Sequence, residues 1–161
     1  MAIRTIRVMG DDILNKTSKP VKEMTDKVRT LINDMLDTMY DAQGVGLAAP
    51  QVGILKRIVV IDVSENADNP IILINPEIVK TEGEQTDNEG CLSVPGKAGT
   101  VTRPEYVEVK ALDENMEPIS LCGNGLLARA FAHEIDHLDG KLYVDLVEGE
   151  LHDVANDEED E

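Results

Sequence analysis

A chain of 161 residues with 42% hydrophobic side chains can bury one core, and aromatics at only 2% leave that core to Ile, Leu, Val, Met and Ala. A formal charge of −17 removes the basic face that gripping nucleic acid requires, so no direct nucleic-acid binding is expected. No run of about 18 apolar residues is present to span a membrane, and the opening MAIRTIRVMGDD lacks a signal-type apolar stretch, so a cytoplasmic protein is expected.

In chain order, Thr25 is placed to cap a helix running to about Tyr40, with Val28, Leu31, Ile32, Met35, Leu36 and Met39 on one face. GVGLAAPQVG, residues 44–53, is punctuated by glycine and proline and reads as turn-rich. RIVVIDV and PIILINP read as strands, EIVKTEGEQ as a further one, and EYVEVKALD with PISLCG as a hairpin. GNGLLARAFAHEIDHLDG closes the pattern as a helix, with Asn124 as its cap and Gly140 as its stop. The fold class expected is α+β: mixed or antiparallel strands packed around a central C-terminal helix, with a second helix near the N-terminus. Residues 1–147 form the expected domain. Residues 148–161, EGELHDVANDEEDE, carry eight acidic and no basic side chains and read as a disordered tail whose removal costs little stability.

The last helix contains AFAHEIDHLDG at residues 130–140. Helical spacing puts Leu126, Ala130, His133 and His137 on one face, with the two imidazoles about one turn (~5.4 Å) apart. A lone histidine on an apolar face is usually an ordinary core residue, but two at this spacing suit one metal ion. Glu134, directly after the first, can act as a base toward a water at such a site. A catalytic site of this kind takes three protein ligands and leaves a position open. The extension H-E-x-x-H-x-x-G-x-x-H fails because Tyr143 stands where its third histidine belongs. A downstream glutamate would have to come from the acidic tail. The third ligand must then lie upstream, where Cys91 in NEGCLSVPG is the candidate. A Cys/His/His set suits Zn²⁺ or Fe²⁺. Cys122 reads as apolar filler and His152 as a solvated residue.

Together GVGLAAPQ, EGCLS and HEIDH, in this order and spacing, closely resemble the three signature motifs of peptide deformylase. The resemblance runs from about Asp11 to Asp145. It implies a hydrolase that removes the N-formyl group from nascent peptides beginning with formylmethionine, releasing formate. It implies metal ligation by Cys91, His133 and His137, with one Fe²⁺ per chain or Zn²⁺, Ni²⁺ or Co²⁺ in its place. Glu134 matches the family's catalytic acid/base, while Gln51 and the Leu92 N–H match its oxyanion donors. Gly46, with Val45 and Gly90, matches the substrate-facing backbone. The implied partners are formyl-Met nascent peptides, with a transient ribosome contact. Glu89 and Arg103 resemble an ion pair of the family that braces the Cys91 loop. Ala132 departs from the glutamine often found before the first histidine, and the acidic C-terminus departs from a basic, RNA-docking helix.

Two other readings are weighed against this one. A general zinc endopeptidase is weakened by the failed third-ligand extensions. A structural metal protein is weakened because structural sites are usually closed by four protein ligands, and no fourth is apparent.

Overall fold

The computed structural model describes residues 2–154. Helix α1, Asp26–Asp41, begins where Thr25 Oγ1 accepts the Val28 N–H at 3.1 Å, as the sequence predicts. Among the described residues, eight strands follow in two sheets: β1 Gly46–Ala48, β2 Ile58–Ile61, β3 Ile71–Glu82, β4 Gln85–Cys91, β5 Val94–Arg103, β6 Tyr106–Leu112, β7 Pro118–Asn124 and β8 Glu148–Asp153. Helix α2, Gly125–Leu138, lies between β7 and β8 in the chain. One sheet has the order β1-β2-β3-β6-β7 and the other β4-β5-β8, with every pairing antiparallel. The α+β architecture around the HEIDH helix is therefore present. No helix among the described residues is long and apolar enough to cross a membrane.

Strand β2 explains how the core is divided. All four of its residues are fully buried. Side chains alternate across a strand, so Ile58 and Val60 join the cluster around α1 while Val59 and Ile61 join the cluster around Ala128, Phe131 and Ile135 of α2. The five-stranded sheet thus has α1 on one face and α2 on the other. Strand β1 pairs with β2, placing the GVGLAAP stretch at the edge of this sheet and against α2.

Two features of β3 were hidden in the sequence. The PIILINP and EIVKTE segments form one strand rather than two, with register shifts between Ile74 and Glu77 and between Ile78 and Lys80. Pro76 falls within the first irregularity, where a missing N–H does least harm to the ladder. The neighbouring Asn75 sits at φ 53°, and its side chain bonds both the N–H and the carbonyl of Val21 at 2.8 Å.

The reading of residues 148–161 as a disordered tail is corrected over its first part. Glu148–Asp153 form β8, which pairs Lys97 with Asp153, Ala98 with His152 and Thr100 with Glu148 on β5. The acidic composition masks the apolar Leu151, which joins the adjoining Val147 in packing with Val94, Val101 and Tyr143. Gly99 leaves room for them: a Cβ there would lie 2.7 Å from Val147 and 3.2 Å from Leu151. Residues 155–161 lie outside the described residues. Cys122 is exposed on β7, so its reading as apolar filler is also corrected.

Candidate active site

Helix α2 delivers three side chains to one buried spot. His133, Glu134 and His137 are between 1% and 6% exposed. Across from them the end of β4 brings in Cys91, and the ligand atoms of Cys91, His133 and His137 all lie within 4.8 Å of one another. His137 Nε2 stands 3.3 Å from Cys91 Sγ. The three residues read as ligands in the sequence therefore converge, drawn from segments more than forty positions apart.

The site is organised around a second tier of charge. Glu89 accepts from His133 Nδ1 at 2.6 Å, which commits that nitrogen and leaves Nε2 for the site. Arg103 donates to the same carboxylate through Nε at 3.1 Å and Nη2 at 2.7 Å, and Arg129 through Nη1 at 2.7 Å. Arg103 also reaches Asp136 at 2.8 Å, and Arg129 reaches the Val101 carbonyl at 3.1 Å. The Glu89–Arg103 pair read from sequence is thus buried rather than a solvated surface pair. Sequence reasoning missed Arg129, because nothing in its local pattern shows that its helix face meets Glu89.

Electrostatics follow from this burial. Burial alone would raise the Glu89 carboxyl, yet hydrogen bonds from His133 and Arg103 hold it well below the usual carboxylate range. Burial also disfavours charge on His133, but Glu134, Cys91 and Glu89 outweigh it and hold the His133 proton well above the ordinary histidine range. His137 is shifted the other way, first by burial and then by the charge of His133. Burial pushes Glu134 up to about 7. The convergence of the Cys91 thiol sulfur with two imidazoles suits a cation, and Glu134 Oε1, buried without a hydrogen-bond partner, supports a water beside it.

Gln51 stands in the short 3-10 turn Ala49–Val52 that follows β1. Its side-chain oxygen accepts the Ala48 N–H at 2.9 Å, which fixes the amide orientation. Its Nε2 then faces Ser93 Oγ at 3.0 Å and Cys91 Sγ at 3.5 Å. The chain near the N-terminus ties these two loops together, since the Arg7 N–H bonds the Gln51 carbonyl at 2.6 Å and the Met9 N–H bonds the Ser93 carbonyl at 2.7 Å. Gly46 packs against the carboxylate of Glu134: a Cβ at Gly46 would lie 2.5 Å from Oε2 and 2.9 Å from Cδ. Only glycine lets the β1 backbone approach this closely.

A cavity of about 720 Å³ opens over the group, lined by Val45, Gly46, Gln51, Gly90, Cys91, Leu92, His133 and Glu134 among others. Val45 is 43% exposed, and Gly90 is exposed beside buried Glu89. Every site residue read from the sequence except His137 lines this cavity, and His137 lies behind it next to Cys91.

A cysteine and two helix-borne histidines gathered beside a buried glutamate, at the floor of an open cavity, define a metallohydrolase-type centre. The family model for polypeptide deformylase matches residues 3–151. A peptide deformylase of Lachnoclostridium phytofermentans is 69% identical over 161 residues, spanning 100% of this chain and 99% of that protein. One of Agathobacter rectalis is 62% identical over the full length of both. Among solved structures, a peptide deformylase from Legionella pneumophila superposes with a TM-score of 0.88 at 52% identity, covering 91% of this chain and 86% of that one. The chain belongs to the peptide deformylase family. Its activity is the metal-dependent removal of the N-formyl group from the formylmethionine that begins newly made polypeptides.

Proposed function

We propose that Cys91, His133 and His137 hold the catalytic ion, that Glu134 is the acid/base, and that Gln51 Nε2 and the Leu92 N–H hold the oxyanion. The observation that carries this reading is Glu134 Oε1. It is a buried carboxylate oxygen with no hydrogen-bond partner, one residue from a ligand and at the floor of the cavity. A divalent ion at the three ligands would lower the pKa of a water and polarise the formyl oxygen. Glu134 takes the proton of the attacking water and returns it to the amine nitrogen as the formyl C–N bond breaks. Gln51, held by the Ala48 N–H, and the Leu92 amide meet the negative oxygen that develops on the formyl carbon. Val45, Gly46 and Gly90 form the backbone along which the peptide lies, and the close contact of Gly46 with Glu134 keeps that carboxylate from rotating away.

A thiolate with two imidazoles suits Fe²⁺, with Zn²⁺, Ni²⁺ or Co²⁺ as substitutes. The enzyme is proposed to work in the cytoplasm, where formyl-Met chains emerge, with only a transient ribosome contact. A solved peptide deformylase from Synechococcus elongatus, 48% identical with a TM-score of 0.86, was crystallised with actinonin. By analogy, that compound is expected to occupy the same cavity here.

The test is formate release from a formyl-Met tripeptide by protein purified anaerobically with Fe²⁺, set beside Glu134→Gln. The variant keeps its metal and loses ~10²–10⁴-fold in single-turnover rate, with peptide Kd much less affected. Full metal with wild-type turnover would remove Glu134 from the reaction, and lost metal would recast it as a ligand.

A further inference from the structure

The two donors assigned to the oxyanion lie on short turns of different origin. Gln51 belongs to the single 3-10 turn Ala49–Val52, and Leu92 with Ser93 links β4 to β5. No helix or strand contains both, so their spacing depends on contacts between the two turns. One tie is the bond from Gln51 Nε2 to Ser93 Oγ at 3.0 Å, which leaves the second N–H of that amide for an oxyanion. The other runs through the N-terminal segment, whose Arg7 and Met9 N–H groups bond the Gln51 and Ser93 carbonyls. In extended backbone, groups two residues apart face the same way and lie within about 7 Å. Arg7 and Met9 therefore hold the two turns at one fixed spacing.

The segment is anchored on both sides of these bonds. On α1, buried Asp34 accepts the Ala2 N–H at 3.0 Å and Arg4 Nε at 2.9 Å, while Thr38 Oγ1 accepts the Arg4 N–H at 2.9 Å. After Met9 the chain turns, with the Val8 carbonyl accepting the Asp11 N–H at 3.0 Å and Gly10 at φ 107°. The Arg7 guanidinium bonds Asp11 at 2.8 Å and covers Gly53, just past Gln51, where a Cβ would lie 2.9 Å from it. Ile3, Val8 and Met9 are all exposed, so hydrogen bonds rather than apolar burial hold this stretch in place.

We propose that residues 2–9 are a positioning strap for the oxyanion site, with the Arg7 and Met9 amides setting the spacing of the Gln51 and Leu92 donors. The strap rests on the assignment of those two donors above and acts through them. Preorganised donors lose effect steeply with displacement, and an error of about 1 Å can cost ~10²-fold in rate.

Proline deletes a backbone N–H, and Met9 is the second residue of the Val8–Asp11 turn, a position that favours proline. Met9→Pro thus removes the bond to Ser93 with the turn intact, and Arg7→Pro removes the bond to Gln51. Met9→Ala and Arg7→Ala lose the same side chains but keep the N–H. All four are assayed as metal-loaded full chains on a formyl-Met tripeptide, with metal content measured alongside. Each proline variant loses about tenfold in kcat with KM within about twofold of wild type, because a misplaced transition-state donor spares ground-state binding. Each alanine variant keeps kcat within about twofold of wild type, and metal content is unchanged throughout. On a Gln51→Ala background, Arg7→Pro costs less than about twofold more, since the donor it aims is gone. A proline variant equal to its alanine partner, a loss confined to KM, a loss that tracks lost metal, or an undiminished loss on Gln51→Ala overturns the strap. If one proline variant does not fold, the other decides; failure of both makes the segment a folding brace and overturns the proposal too. Wild-type kcat in Gln51→Ala itself would instead overturn the reading of Gln51 as an oxyanion donor.

Discussion

The inner face of α2 lines the cavity and the C-terminal strand β8 runs into Val154, which also lines it, yet the two elements were written in different codes. On α2 a helical period fixes which residues share a face, so His133, Glu134 and His137 announce both their structure and their chemistry. On β8 the composition says solvated acid, while one apolar side chain, Leu151, packed beside Val147, and the open edge of β5 decide the outcome. Local period is a reliable guide where it coincides with burial. Composition misleads where a few apolar residues find a groove made elsewhere, such as the space left by Gly99.

The comparison is sharpest at the two cysteines. Cys91→Ser is expected to abolish metal retention and with it nearly all activity, whereas Cys122→Ser, exposed on β7, retains one ion per chain. Metal analysis after dialysis checks both, and equal loss in the two variants would break the ligand assignment.

A smaller effect is expected one tier out. Glu89→Gln keeps a hydrogen-bond acceptor for His133 Nδ1 but removes the charge that two arginines surround. Metal affinity should fall by ~10–100-fold, the range usual for partners of metal-ligating histidines. Competition with a chelator measures it. An unchanged affinity would leave Glu89 as a structural brace only.

Truncation after Val147 tests the other side. The sequence reading expects no change, but the fold reverses this, because Leu151 leaves the Val94–Val101–Tyr143 cluster and the edge of β5 is uncovered. Partial burial of a leucine is worth about 1–2 kcal/mol, so Tm should drop by a few degrees. A melting curve that overlays the full chain would restore the disordered-tail reading.

The smallest effect is expected at Asp62. Burial alone would raise its carboxyl, but donors from Ser64, Tyr40 and the Asn69 N–H lower it to about 2. The unfolded chain, with an ordinary aspartate pKa near ~3.9, therefore takes up a proton before the folded chain does. The stabilisation is complete above that value and is lost as pH falls toward 2. Asp62→Asn should flatten the Tm-versus-pH curve between about pH 4 and 2 relative to wild type. Parallel curves over that interval would show that Asp62 contributes nothing to acid stability.

Much of the site was legible because its chemistry is carried in short, rigid stretches. HEIDH declares itself through helical spacing, Cys91 emerges when other third ligands fail, and the three motifs together resemble one family. The α1 face and its Thr25 cap, the β6–β7 hairpin and the α2 boundaries also follow from local pattern. The tertiary structure alone decided what depends on contacts between distant segments. It joined two apparent strands through bulges at Asn75 and Pro76, where the Asn75 side chain is anchored on Val21. It brought Arg129 onto Glu89 and the N-terminal backbone onto the Gln51 and Ser93 loops. It also folded an acidic segment against β5, beside the cavity. Periodicity and spacing act within a segment, whereas an edge strand needing a partner or a carboxylate needing a second arginine is satisfied only when the whole chain has closed around it.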